Sequence, residues 1–180
     1  MTIVFKDILT KQQCNTIANA MIYLYENEIE NLNYEKDDCY YNGSYGFRGI
    51  HEAEQLLPII EEKVLKHYTG YTFDNVYTRI YKNESTLNVH TDRQDLDLTL
   101  TVCVYSDISV SWPIHVSNIP HQGEWNFDKS DYYKSDFKSF NTPIGTGVSC
   151  LGRIYAHWRD KLVCQENEKV VQVFYHWKKI

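Results

Sequence analysis

Two different hydrophobic periods divide the chain near Gly70. Before it, apolar residues recur at helical spacing; after it, they alternate with polar ones. Ile17, Ala18, Met21, Ile22, Leu24 and Tyr25 fall largely on one face of a helix predicted over about 10–28. Thr10 stands as its N-cap with Gln13 three residues on, the pattern of a capping box. A second helix is predicted over 52–67, with Leu56, Ile59, Ile60, Val64 and Leu65 as its buried stripe and Gly70 beyond its end. Pro58 inside that stripe predicts a kink or a break. Between the helices, residues 31–50 mix Tyr34, Tyr40, Tyr41 and Tyr45 with Gly43, Gly46 and Gly49 and show no period. They read as a loop, either over a site or as an irregular surface segment with packed tyrosines.

Beyond Gly70, strands are predicted at 73–82, 86–89, 96–105, 112–117, 147–155 and 170–177, all rich in Val, Ile, Thr, Tyr and Trp. Helices followed by this many strands predict a mainly β (α+β) domain, a sandwich or jelly roll with two N-terminal helices packed on the outside. One domain is expected over 1–180, with about 1–70 as helical support and about 71–180 as the β core. Residues 120–145 interrupt the strands with His121, Trp125, Phe127, Tyr132, Tyr133, Phe137 and Phe140. Loops of this length are usually functional, so this stretch and 31–50 are expected to flank the barrel mouth and order on substrate binding.

Composition narrows the class. The formal charge of -6 argues against a broad nucleic-acid or anionic-membrane surface. No apolar run approaches the ~20 residues needed to span a bilayer. The start, from Met1 to Asp7, lacks the basic and apolar regions of a signal peptide. Five cysteines (14, 39, 103, 150 and 164) are scattered without a C-x-x-C pair, as expected for reduced thiols in the cytoplasm.

The strongest candidate chemistry lies in Val89-His90-Thr91-Asp92-Arg93. Along an extended segment side chains alternate faces, so His90 and Asp92 project to the same side. Two imidazoles and a carboxylate on one face form the facial triad that binds non-haem Fe(II) with open positions. The best second imidazole is His157, in Tyr155-Ala156-His157-Trp158-Arg159.

In this order the motifs resemble a family. Phe5 to Cys14, Arg79-Ile80-Tyr81 through His90-Thr91-Asp92-Arg93, and Gly147 through His157-Trp158-Arg159 to Gln172-Val173-Phe174-Tyr175-His176 are similar to blocks of the Fe(II)- and 2-oxoglutarate-dependent oxygenases. The small prolyl-4-hydroxylase-like members are the nearest in pattern. The resemblance implies a double-stranded β-helix (a cupin-like jelly roll) holding Fe(II) through His90, Asp92 and His157. It implies 2-oxoglutarate and O2 as cosubstrates, with ascorbate a candidate accessory cofactor, and hydroxylation of a C–H bond with release of succinate and CO2. Tyr81 stands where related enzymes place a 2-oxoglutarate contact. The basic anchor ten residues after the distal histidine is missing, because Asn167 occupies that position. Arg159 and Lys169 are the rival anchors, and Arg159 is preferred because a guanidinium fork suits a carboxylate. Arg79 and Arg93 read as structural. The resemblance favours a protein side chain such as prolyl as substrate, with a nucleobase or small metabolite left open. The alternatives are a cupin-like metal protein with another reaction, and a catalytically inactive interaction domain.

Overall fold

The computed structural model describes residues 2–27, 33–35 and 41–180, with side chains described for all of these except 33–35, 41 and 42. Helix α1 (Lys11–Glu26) begins at the predicted cap. Gln13 N donates to Thr10 Oγ1 at 3.3 Å, and Thr10 N donates to Gln13 Oε1 at 2.8 Å. The predicted second helix is two, α2 (His51–Glu54) and α3 (Leu57–Val64), because Pro58 opens α3 in its first turn, where its missing N–H costs nothing.

The described strands are β1 (Ile3–Phe5), β2 (Asn33–Glu35), β3 (Tyr41–Arg48), β4 (Tyr71–His90), β5 (Leu98–Ser106), β6 (Ile114–Pro120), β7 (Phe137–Phe140), β8 (Gly147–Cys150), β9 (Tyr155–Arg159) and β10 (Val170–Lys179). They hydrogen-bond in the order β1-β8-β5-β10-β4-β9-β6-β7, with β3 beside β4 and β2 beside β3. All described pairings are antiparallel. The result is the nearly closed jelly roll that the alternation predicts. No helix among the described residues is long and apolar enough to cross a membrane.

Strand β4 joins the two layers of the roll. Its first half pairs with β10 and its last residues pair with β9. Between them Glu84 takes φ 70°, and Ser85 Oγ accepts from Lys82 N at 2.9 Å and donates to Gly43 O at 2.6 Å. The polar Asn83-Glu84-Ser85 step is therefore a bend within one strand rather than a turn between two.

Alternation sorts the large sheet into an outer and an inner face. Val76 and Ile80 of β4, Leu98, Leu100, Val102 and Val104 of β5, and Val171, Val173, Tyr175 and Trp177 of β10 face out. Cys14, Ile17, Ala18 and Met21 of α1, with Ile60 and Val64 of α3, close over them. Each large apolar side chain so buried contributes roughly 1.5–3 kcal/mol, which fixes the register of the strands that carry the site. The inner face carries Tyr81, Cys103, Val170 and Phe174, joined by Trp112 and Leu162.

Three expectations are corrected. The segment predicted as a loop over 31–50 contains β2 and β3, while 31–32 and 36–40 lie outside the described residues. The glycine-rich register suits a strand because the Tyr77 ring occupies the side-chain space of Gly46, where a Cβ would meet Tyr77 Oη at 2.5 Å. The predicted strand 147–155 breaks into β8 and β9 at the turn Leu151-Gly152-Arg153-Ile154. Residues 120–145 hold a 3-10 turn at Phe127–Lys129, α4 (Ser130–Lys134) and β7. Their Trp125 and Tyr133 pack on Val89, Ala156 and Trp158, on the face of the small sheet opposite His90 and His157. These aromatics cover the outside of the small sheet as the helices cover the large one.

Candidate metal centre

His90 ends β4 and His157 lies within β9, and the two are cross-strand partners with ring centroids 4.3 Å apart. The chain leaves β4 extended, so Asp92 swings to the same side. Asp92 N donates to Gly152 O at 2.9 Å in the β8–β9 turn. A Cβ at Gly152 would overlap the Asp92 carboxylate and reach within 3.0 Å of Thr99 Oγ1, so this turn requires glycine for space. The sequence places His90, Asp92 and His157 as one face, and the structure brings one ligand atom of each within 4.8 Å of the others.

The second partner of each group fixes its direction. His90 Nδ1 donates to Asn88 O at 2.7 Å and His157 Nδ1 to Tyr155 O at 3.1 Å. A carbonyl only accepts, so both rings carry a proton on Nδ1 and turn Nε2 toward Asp92. Thr99 Oγ1 donates to Asp92 Oδ2 at 2.5 Å, leaving Oδ1 facing the imidazoles. Oδ1 lies 3.8 Å from His90 Nε2 and 3.5 Å from His157 Nε2, too far for good hydrogen bonds. Metal ligands held at about 2.1 Å in adjacent positions sit about 3 Å apart, so a small contraction closes this set on an ion.

Both histidines are 4% exposed. Burial, then the neighbouring His157, pushes the His90 imidazole down to about 3 against the pull of Asp92, which keeps it neutral. Burial would raise the Asp92 carboxyl, but His157, His176, His90 and Thr99 outweigh it and hold it below its ordinary value. Two imidazoles and a carboxylate are the donor set that suits a divalent transition metal.

Arg159 follows His157 by two residues within β9 and pairs across to Leu87, so it shares the inward face. It is 1% exposed. Nη1 donates to Trp112 O at 2.6 Å, Nη2 donates to Thr142 Oγ1 at 3.4 Å, and the guanidinium lies 4.8 Å from the Trp112 ring centre. Its Nε has no partner among the described residues, nor does any described carboxylate pair with it. Burial lowers its pKa to about 10, with Tyr81 and Cys103 pulling the other way. Tyr81, fully buried, sits edge-on to Trp112 at 4.9 Å. Lys169 stands partly exposed just before β10, its backbone N–H donating to Asp107 Oδ1 at 2.6 Å.

Two inward residues escape the sequence reading. Arg79, set aside there as structural, and His176 both line a cavity with His90 and Asp92. Period-two counting puts Arg79 with Tyr81 and His176 with Phe174, but only strand pairing decides which face is inward.

Solved structures match this fold over nearly the whole chain. A Pseudomonas putida prolyl-4-hydroxylase superposes with a TM-score of 0.66 at 9% identity, over 99% of this chain and 93% of that one. The non-haem α-ketoglutarate-dependent carbocyclase SnoK of nogalamycin biosynthesis gives 0.68 at 12% identity, over 97% and 79%. HygX from Streptomyces hygroscopicus, with nickel and 2-oxoglutarate bound, gives 0.62 at 9% identity, over 99% and 82%. The fold is that of the 2-oxoglutarate–Fe(II) oxygenases. No protein-family model and no curated protein sequence matches the chain. Within this fold the three clustered residues lie on the inner wall, and His90 and Asp92 line a cavity of about 130 Å³.

Proposed function

We propose that the protein is an Fe(II)- and 2-oxoglutarate-dependent dioxygenase that hydroxylates a C–H bond, with the whole 1–180 chain forming one catalytic unit. The observation that carries this reading is the buried His90–Asp92–His157 cluster, with both Nε2 atoms and Oδ1 turned toward one point. These three residues would hold the metal. Bound Fe(II) supplies the redox chemistry that couples oxidative decarboxylation of 2-oxoglutarate by O2 to oxidation of the substrate, releasing succinate and CO2. His90 and His157 contribute neutral donors whose tautomer is set by backbone carbonyls, and Asp92 contributes the negative charge.

Arg159 is the preferred anchor for the distal carboxylate of 2-oxoglutarate. A buried guanidinium without an anionic partner is costly, and a dicarboxylate brings the missing charge to it. Tyr81 lies close enough to influence the charge on Arg159 and packs edge-on against Trp112, the ring that the guanidinium faces. Trp112 stacks on Arg159 and limits its motion. Lys169, more exposed and tied through its backbone to Asp107, is the rival anchor. Ascorbate is a candidate accessory reductant, and a prolyl or other side chain is a candidate substrate.

The test is succinate formation from 2-oxoglutarate under O2 with Fe(II). His90→Ala and His157→Ala are expected to abolish it with the fold retained, and wild-type turnover in either variant would mean other ligands. Loss of one charge-assisted hydrogen bond, roughly 1.5–3 kcal/mol, predicts about 10- to 150-fold weaker 2-oxoglutarate binding in Arg159→Met. That variant should melt no earlier than wild type without 2-oxoglutarate, because it removes an uncompensated buried charge. If Lys169→Ala shows the affinity loss instead, the lysine is the anchor.

A further inference from the structure

We infer that the primary substrate carries an anionic group, a carboxylate or a phosphate, gripped at the barrel mouth by Arg48 and Arg79. This rests on the oxygenase reading and adds a substrate class to it. The cavity of about 130 Å³ beside His90 and Asp92 is walled by Arg48, Arg79 and Arg93, with Tyr77, Phe174 and His176. The chain has only five arginines (48, 79, 93, 153 and 159), so three of the five meet in this one cavity. Among the described residues, Asp92 is the only acidic one in its lining. In a chain with 24 acidic and 18 basic residues, such a concentration is not what composition supplies.

Each arginine has a distinct setting. Arg79 is 3% exposed on the inner face of β4; Nη1 donates to Ser44 Oγ at 3.0 Å and the guanidinium lies 4.6 Å from the Tyr77 ring centre, which fixes its orientation. Arg48, at the end of β3 and directly across from Tyr77, is exposed at the rim and makes no ion pair among the described residues. Arg93 is 58% exposed and reaches Asp74 only at 3.8 Å, a contact that solvent screens. One oriented buried guanidinium with an exposed one at the rim makes a carboxylate- or phosphate-binding fork, and low-dielectric walls focus its field. The Tyr77 and Phe174 rings flank the space for the carbon part of the substrate. Arg159 contacts Trp112 and Thr142, which line a different cavity, so cosubstrate and substrate would each have their own arginine.

The test is calorimetric titration of the protein loaded with Co(II) and saturating 2-oxoglutarate. The probes are inorganic phosphate, N-acetylaspartate, an aspartate-containing tripeptide and neutral N-acetylasparagine. Saturable binding of phosphate or a carboxylate is expected, with the neutral probe at least about tenfold weaker. Which anion binds tightest separates phosphate from carboxylate, and the tripeptide separates chain-borne from free carboxylates. Arg48→Glu should lose at least about tenfold in anion affinity, Arg48→Lys should keep most of it, and Arg153→Glu, outside the cavity, should match wild type. Three results would overturn the inference: no saturable anion binding, equal affinity for the neutral probe, or wild-type affinity in Arg48→Glu. Displacement of the anion by 2-oxoglutarate would also overturn it, since the arginines would then serve the cosubstrate. If the protein takes up neither Co(II) nor 2-oxoglutarate, the oxygenase reading alone fails, and the same titration of the metal-free protein still decides the anion site.

Discussion

Thr99 shows how much of the candidate centre depends on a residue that would not itself touch a metal. Its hydroxyl donates to Asp92 Oδ2, on the carboxylate oxygen away from the two imidazoles. Without that bond the carboxylate rotates about its last torsion, and the oxygen facing Nε2 of His90 and His157 is no longer held. Gly152 closes the other side, since its missing side chain is the space the carboxylate fills. Outer partners of this kind are typically worth 10- to 100-fold in metal affinity. Thr99→Val keeps the shape of the side chain and removes the donor. It is expected to weaken Co(II) or Fe(II) binding about 10- to 100-fold while changing the melting temperature little. Metal titration with unchanged affinity would mean that the Gly152 wall alone positions Asp92.

At the scale of elements, strands carry the site and turns set where those strands begin and end. Gly145 enters β8 with φ 83°, its N–H donating to Cys103 O at 2.8 Å and its carbonyl accepting from Leu9 N at 3.4 Å. A Cβ there would stand 2.7 Å from Leu9 O, a backbone atom that cannot swing aside. Gly145→Ala combines left-handed strain with a clash and should cost about 1–3 kcal/mol, read as a lower midpoint in urea unfolding. An unchanged midpoint would mean that the β1–α1 connection shifts freely. The same features mark what the sequence makes legible. Helix α1 and its cap are encoded within a few residues, and Thr10 and Gln13 form the bonds that their spacing predicts. The i, i+2 pairing of His90 and Asp92 is equally local. Strand β3 is hidden because Gly46 leaves no side chain to count, its space being filled by Tyr77 from β4. The β8–β9 break is hidden because Leu151 and Ile154 keep the apolar rhythm through the turn. Arg79 and His176 are visible as residues, but their inward direction follows from long-range pairing of β4 with β10.

For the molecule as a whole, both outer faces are sealed by apolar packing, while the inside holds many polar groups beside the Tyr81–Trp112 cluster. Helices α1 and α3 cover the large sheet and the Trp125–Tyr133 segment covers the small one. Between them, His90, His157, Arg79, Arg159, Thr99, Thr101 and Gln172 are all buried. A hydrophobic filling would stabilise the barrel more, because buried cations and bare imidazole nitrogens cost free energy unless they find partners. In the proposed oxygenase a metal would meet His90, Asp92 and His157, and a dicarboxylate would meet Arg159. A ligand that binds only the folded chain stabilises it by about 2.7 kcal/mol at 100 times its Kd. For a domain of this size, each kcal/mol moves the melting temperature by roughly 2–4 °C, so Mn(II) with 2-oxoglutarate should raise it by about 5–11 °C. Metal alone should give part of that rise. 2-Oxoglutarate alone should give less than the pair, since the keto acid would engage the arginine without a metal to chelate. In Arg159→Met the metal-dependent part should survive and the 2-oxoglutarate-dependent part should shrink. A melting temperature indifferent to Mn(II) and 2-oxoglutarate together would remove the reason offered here for the polar interior.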